Sequence, residues 1–165
     1  PLTKLFFDVH LMCSKPEILL EPFAKAGSDQ ITVHVELGNA VTPLLWKIRS
    51  LGKKVGLSLN PPTGIKQVQP YLEKIDHLLI MTVNPGFGGQ KFIYQTLPKI
   101  RKLHQMIAAA NAKTLIEIDG GVGLQNAETL LQAGADVLVA GSSVFGAKEP
   151  LTTISALKAF NAVFV

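Results

Sequence analysis

Apolar runs recur along the chain at near-regular spacing, and stretches of helical periodicity fill the gaps. Six runs read as strands: residues 5–11, 31–35, 55–59, 78–83, 115–118 and 137–140. Five intervening stretches, 17–26, 40–50, 65–74, 93–109 and 127–133, carry the apolar spacing of amphipathic helices. Ala26-Gly27, Leu51-Gly52 and Ala133-Gly134 read as helix stops, because glycine takes the left-handed position after a helix at no steric cost. Strand starts fall about 22–26 residues apart, with one longer interval across the 93–109 stretch. A repeated β-α unit of this kind predicts parallel strands.

Two parallel architectures compete. A doubly wound open sheet places its ligand at one switch point, whereas a closed barrel places functional residues at the C-terminal ends of many strands. Polar or glycine-rich signals follow almost every run here: Asp8 and His10, His34 and Glu36, Ser58 and Asn60, residues 84–89, Asp119-Gly120-Gly121 and Gly141-Ser142-Ser143. That distribution favours the α/β barrel. A full barrel has eight units and rarely fewer than ~200 residues, so six units in 165 residues are two short. The chain starts with Pro1 on the approach to a strand, which leads us to expect an incomplete gene product.

Composition narrows the class further. The hydrophobic fraction of 47% against 17% charged suits an α/β protein rich in buried parallel strands. No apolar stretch is long enough to span a bilayer, and no secretory signal is present. The single cysteine, Cys13, excludes an internal disulfide and points to a reducing compartment. A net charge of +4 is mild and suits an anionic small substrate. No arginine-rich run or zinc-finger spacing suggests nucleic acid.

Three places carry candidate chemistry. Residues 83–89 read Val-Asn-Pro-Gly-Phe-Gly-Gly directly after a strand; main-chain N–H groups exposed by Gly86, Gly88 and Gly89 suit an anion, above all a phosphate. Side chains alternate along a strand, so Asp8 shares one face with His10, and Glu117 shares one with Asp119. Carboxylates and imidazoles within apolar strands are costly unless paired or bound to a metal. His34 and Glu36 read as supporting residues, and His77 and His104 as surface residues. Met12 and Met81 read as packing that can also wall a site.

Phe7-Asp8-Val9-His10-Leu11-Met12, the block from Met81-Thr82-Val83-Asn84-Pro85 to Phe92-Ile93, and Ile116-Glu117-Ile118-Asp119-Gly120-Gly121-Val122 strongly resemble the ribulose-phosphate 3-epimerase family. So do residues 31–36, 59–61, 133–137 and 140–142, in the family's order. The resemblance implies an eight-stranded β/α barrel whose third strand lies just after Pro1. The chain is then a single ribulose-phosphate-binding domain over residues 1–165, lacking its first two β-α units. It implies interconversion of D-ribulose 5-phosphate and D-xylulose 5-phosphate, a step of the pentose phosphate pathway and Calvin cycle, through an enediolate with two-base proton transfer. It implies a divalent metal, usually zinc, with His10 and Asp119 as two ligands. The other two ligands belong to a strand this sequence does not contain, and one of them is the second acid/base group. Asp119 is the catalytic acid/base that remains, and His10 also touches substrate. Met12 and Met81 wall the enediolate, and Gly86, Phe87, Gly88, Gly89, Gly120, Gly121, Gly141 and Ser142 surround the phosphate. With two ligands missing, the 165-residue chain by itself is expected to bind zinc weakly and turn over poorly. The departures at Gly64 and at Cys13-Ser14 are not expected to affect chemistry.

The resemblance further implies a cytoplasmic or plastid homo-oligomer that meets a small sugar phosphate, with no nucleic-acid or membrane partner. Two other readings stand beside it. One is a non-catalytic phosphate-binding fragment or a subunit dependent on a partner. The other is an epimerase of a six-carbon ketose phosphate.

Overall fold

Each of the six apolar runs coincides with one strand to within a residue or two at most ends. In the computed structural model, which describes residues 4–161, they are β1 (Asp8–His10), β2 (Gln30–His34), β3 (Lys54–Leu59), β4 (His77–Met81), β5 (Leu115–Asp119) and β6 (Val137–Val139). All neighbours pair in parallel and in sequence order from β1 to β6, which leaves β1 and β6 as the two edges. The connections carry α1 (Glu17–Ala26), α2 (Val41–Ser50), α3 (Leu97–Ala109) and α4 (Ala127–Gln132), and α5 (Ser142–Phe145) and α6 (Pro150–Asn161) follow β6 as the last described elements.

Strand alternation divides the sheet into two unlike faces. Ile31, Val33, Leu57, Ile80 and Ile118 point to the helices and are fully buried against Leu20, Ile48, Ile100, Leu103 and Leu130. The opposite face carries Asp8 and His10, Gln30 and His34, Ser58, Met81, then Glu117 and Asp119. Adjacent strands lie about 4.8 Å apart, so β1 and β5 would be roughly 19 Å apart in a flat sheet. Yet His10 Nδ1 lies 3.9 Å from Asp119 Oδ2, and Gln30 Nε2 lies 3.5 Å from Glu117 Oε2. The sheet is therefore curled into a half-barrel with its polar face inside and its helices outside.

Helix ends follow the glycine stops. Gly27 takes φ 105° after α1, and its N–H bonds back to the Ala24 carbonyl. Three details depart from expectation. Residues 65–74 form two 3-10 turns, Ile65–Gln67 and Gln69–Tyr71, rather than an α-helix. Pro70 has no N–H to donate to an α-helical ladder, while Val68 and Leu72 are still buried four residues apart, which explains the helical pattern. A 3-10 segment, Val35–Ala40, precedes α2. The short α5 and the terminal α6 were not anticipated.

Candidate functional site at the strand C-termini

His10 ends β1 and Asp119 ends β5, so both side chains come to the mouth of the half-barrel. Their 3.9 Å separation is too long for a hydrogen bond. His10 Nδ1 is buried and has no hydrogen-bond partner among the described residues. Its Nε2 lies 2.8 Å from Nε2 of His34, whose Nδ1 lies 3.0 Å from Glu36. Glu36 also accepts from the Asn60 N–H at 2.8 Å and from the Thr63 hydroxyl. Burial works to raise the Glu36 carboxyl, but the bonds from His34, Thr63 and the backbone outweigh it and hold its pKa at about 2. The reading of His34 and Glu36 as supporting residues matches this geometry.

The sign of the resulting pH dependence follows from the lowered value. Glu36 adds stability that is fully present above its ordinary pKa of 4.5 and is lost as pH falls toward 2. Glu36→Gln should therefore flatten the acid limb of a urea-denaturation series across that window. An unchanged acid limb would show that the carboxylate is not held as described.

A cavity of about 640 Å³ opens beside this pair. Met12, Met81, Asp119, Gly120, Gly121, Gly141, Ser142 and residues 83–90 line it. Met81 is buried, whereas Phe87 is three-quarters exposed at the rim. Gln90 staples the glycine loop by donating to the Asn84 and Phe87 carbonyls at 2.6 and 2.9 Å. The Thr82 hydroxyl donates to the carbonyls of Asp119 and Gly120 at 3.0 and 2.6 Å, tying the loops after β4 and β5 together. Asn126, which sequence reasoning missed, is buried and braces the next turn. Its side chain accepts from the Gly123 N–H and donates to the Gly121 carbonyl. Its position three residues after Gly123, just before a helix, was the available signal. Of the residues expected to meet substrate, all but His10 line this cavity; His10 does not line it and lies 3.9 Å from Asp119, which does.

A second polar group sits at the other end of the strands. Donor atoms of Asp8, His77 and Glu117 lie within 4.8 Å of one another, and Gln30 Nε2 donates to Asp8 at 2.8 Å. His77 is buried, 3.3 Å from Glu117, which corrects its assignment to the surface: it opens β4 on the inner face. His104 is exposed as expected. Burial, followed by the nearby Glu117 carboxylate, pushes Asp8 up to about 6. Two carboxylates this close share a proton more readily than they both ionise. The cluster has donors of the kind a divalent ion uses, but it lies away from the glycine cavity.

A model of the ribulose-phosphate 3 epimerase family matches residues 1–145. The chain belongs to the ribulose-phosphate 3-epimerase family. It is 49% identical over 161 residues to the ribulose-phosphate 3-epimerase of Synechocystis, with 96% of this chain and 70% of that protein covered. Against the Bacillus subtilis enzyme identity is 42% over 159 residues, covering 96% and 73%. The Arabidopsis thaliana chloroplastic enzyme is 45% identical, and the chain spans 57% of its length. Among solved structures, KGPDC from Streptococcus mutans superimposes with a TM-score of 0.74 at 16% identity, covering 98% of this chain and 74% of that one. A 3-hexulose-6-phosphate synthase gives 0.66 at 21%, covering 87% and 67%. At these identities the structural likeness concerns the fold alone, which is that of a β/α barrel. The matches do not support the expectation that two β-α units are absent before Pro1.

Proposed function

We propose that this site epimerises carbon 3 of a ketose phosphate, interconverting D-ribulose 5-phosphate and D-xylulose 5-phosphate. The observation that carries the reading is the pairing of His10 and Asp119 at the mouth of a glycine-lined cavity, in a chain of the epimerase family. Epimerisation removes a proton α to a carbonyl and returns one to the opposite face. Asp119 is the one carboxylate among the described residues lining the cavity, and we assign it the proton transfer on one face. The opposite face requires a second proton-transfer group.

The residues at the mouth fit a divalent metal. The buried, unpartnered Nδ1 of His10 and the Asp119 carboxylate face each other 3.9 Å apart, and both are donors such an ion accepts. His10 and Asp119 would hold it, and zinc is our choice because imidazole nitrogen and carboxylate oxygen are both among its ligands. When bound, such an ion supplies a Lewis acid that offsets charge on the enediolate oxygens. Buried Met81 keeps water from the carbanion face, and the more exposed Met12 lines the same cavity. The phosphate rests on N–H groups of Gly86, Phe87, Gly88 and Gly89, of Gly120 and Gly121, and of Gly141 and Ser142.

Gly88 tests the phosphate assignment cleanly. It does not sit at positive φ, and an added Cβ meets nothing within 4 Å. The fold should tolerate Gly88→Val, while affinity for inorganic phosphate by calorimetry should fall about tenfold or more, because the valine side chain, though it keeps the N–H, would crowd the anion off its contact with a charge-assisted hydrogen bond. Unchanged affinity would remove this loop from the site.

No helix among the described residues is long and apolar enough to cross a membrane. Relatives named as chloroplastic and as a cytoplasmic isoform support a cytoplasmic or plastid setting. The edges of β1 and β6, unpaired among the described residues, support self-association. The direct test of the reaction is turnover of ribulose 5-phosphate against its six-carbon analogue allulose 6-phosphate, in the presence of zinc. Faster turnover of the pentose phosphate is expected. Preference for the hexulose phosphate, or binding of the pentose phosphate with neither turnover nor solvent exchange of its carbon-3 hydrogen, would overturn the proposal.

A further inference from the structure

With both rings neutral, the contacts running from Glu36 to His10 admit one consistent placement of protons. Glu36 is ionised at neutral pH and can only accept, so the His34 nitrogen 3.0 Å away, Nδ1, carries the hydrogen. A neutral His34 then has a bare Nε2. The two Nε2 atoms of His34 and His10 are 2.8 Å apart, a distance that requires one proton between them. His10 must supply it, which leaves its own Nδ1 bare. That atom is the buried, unpartnered nitrogen facing Asp119.

Support for this chain reaches outward as far as α3. The Lys99 ammonium donates to the carbonyls of Asn60, Pro61 and Thr63 at 3.1, 2.6 and 2.7 Å. The Asn60 N–H and the Thr63 hydroxyl are the other donors to Glu36. A cation is thus spent on fixing the loop that holds the carboxylate.

We propose that Glu36 and His34 are positioning residues that lock His10 in its Nε2–H tautomer and so keep the Nδ1 lone pair aimed at the metal position beside Asp119. The proposal goes beyond the assignment of His10 as a ligand and rests on it for its purpose. Neither Glu36 nor His34 lines the cavity, so both act through His10. A carboxylate–histidine–histidine chain does for His10 what an outer carboxylate does for a ligating histidine in general: it selects the nitrogen and raises its basicity.

The test has two arms on the full 165-residue chain labelled with 15N-histidine. Long-range 1H–15N correlation spectra without metal, at mildly alkaline pH, report which ring nitrogens carry hydrogen. The wild type should show His10 protonated at Nε2 and His34 at Nδ1. Glu36→Gln and His34→Gln should each shift His10 toward a tautomer mixture, with far-ultraviolet circular dichroism retained. A wild-type His10 protonated at Nδ1, or a His10 tautomer unmoved in whichever variant folds, overturns the proposal. In the second arm, zinc affinity is measured by chelator competition. Glu36→Gln should weaken it about 10–100-fold, and His10→Ala by at least as much. Zinc affinity unmoved by His10→Ala would refute the ligand assignment while leaving the tautomer result standing. An effect of His10→Ala with none of Glu36→Gln would refute the positioning role.

Discussion

Asp119→Asn should reduce turnover of ribulose 5-phosphate by about 10²–10⁴-fold, the usual contribution of a positioned acid/base group, while sugar-phosphate binding stays nearly intact. The substitution keeps the shape of the side chain and removes its capacity to take up a proton. The proposed phosphate site is made of main-chain groups of the glycine loops, which the change does not touch. KM should therefore move little while kcat collapses. Affinity for zinc should fall as well, because the same carboxylate faces His10 at 3.9 Å. Full activity in Asp119→Asn would remove it from both roles. A raised KM with unchanged kcat would make it a binding residue alone.

Gly121→Ala should cost about 3 kcal/mol of unfolding free energy, measured by urea denaturation. Gly121 has φ 66°, and a Cβ there would stand 2.5 Å from the Phe92 nitrogen and 2.9 Å from the Gln90 carbonyl oxygen. Left-handed backbone costs a non-glycine residue roughly 1–2 kcal/mol, and overpacking against rigid backbone adds about 1–3. Both opposing atoms are main chain, so no side-chain rotation relieves the clash. Gly88→Ala is the matched control in open space and should change stability by less than about 0.5 kcal/mol. Equal losses at the two positions would show that the close packing of the loops after β4 and β5 is not what Gly121 serves.

The strands were legible because buried parallel strands are short, uninterrupted and apolar, and all six lie where the runs place them. The inner face was legible in part. Alternation paired Asp8 with His10 and Glu117 with Asp119, but it could not show that a curled sheet brings β1 against β5. His77 was misplaced for that reason. Its neighbours in sequence, Lys74 and Asp76, are polar, and only the register of β4 turns its ring inward toward Glu117. The turns at 65–71 were read as a helix because burial of Val68 and Leu72 satisfies either geometry. Glycines 120 and 121 were read as phosphate contacts, but close loop packing imposes a separate demand there, visible only once the loops face each other. The tautomer chain was out of reach of sequence, since it depends on which nitrogen of His34 meets which nitrogen of His10.

The central claim is that this mouth removes the proton from carbon 3 of a ketose phosphate. Nuclear magnetic resonance of ribulose 5-phosphate incubated with the protein and zinc in deuterium oxide reads this directly, even where only one face of the carbon is served. The account predicts deuterium appearing at carbon 3 with the wild-type chain and not with Asp119→Asn. Sugar phosphate that binds to the wild-type protein but retains its carbon-3 hydrogen would contradict it.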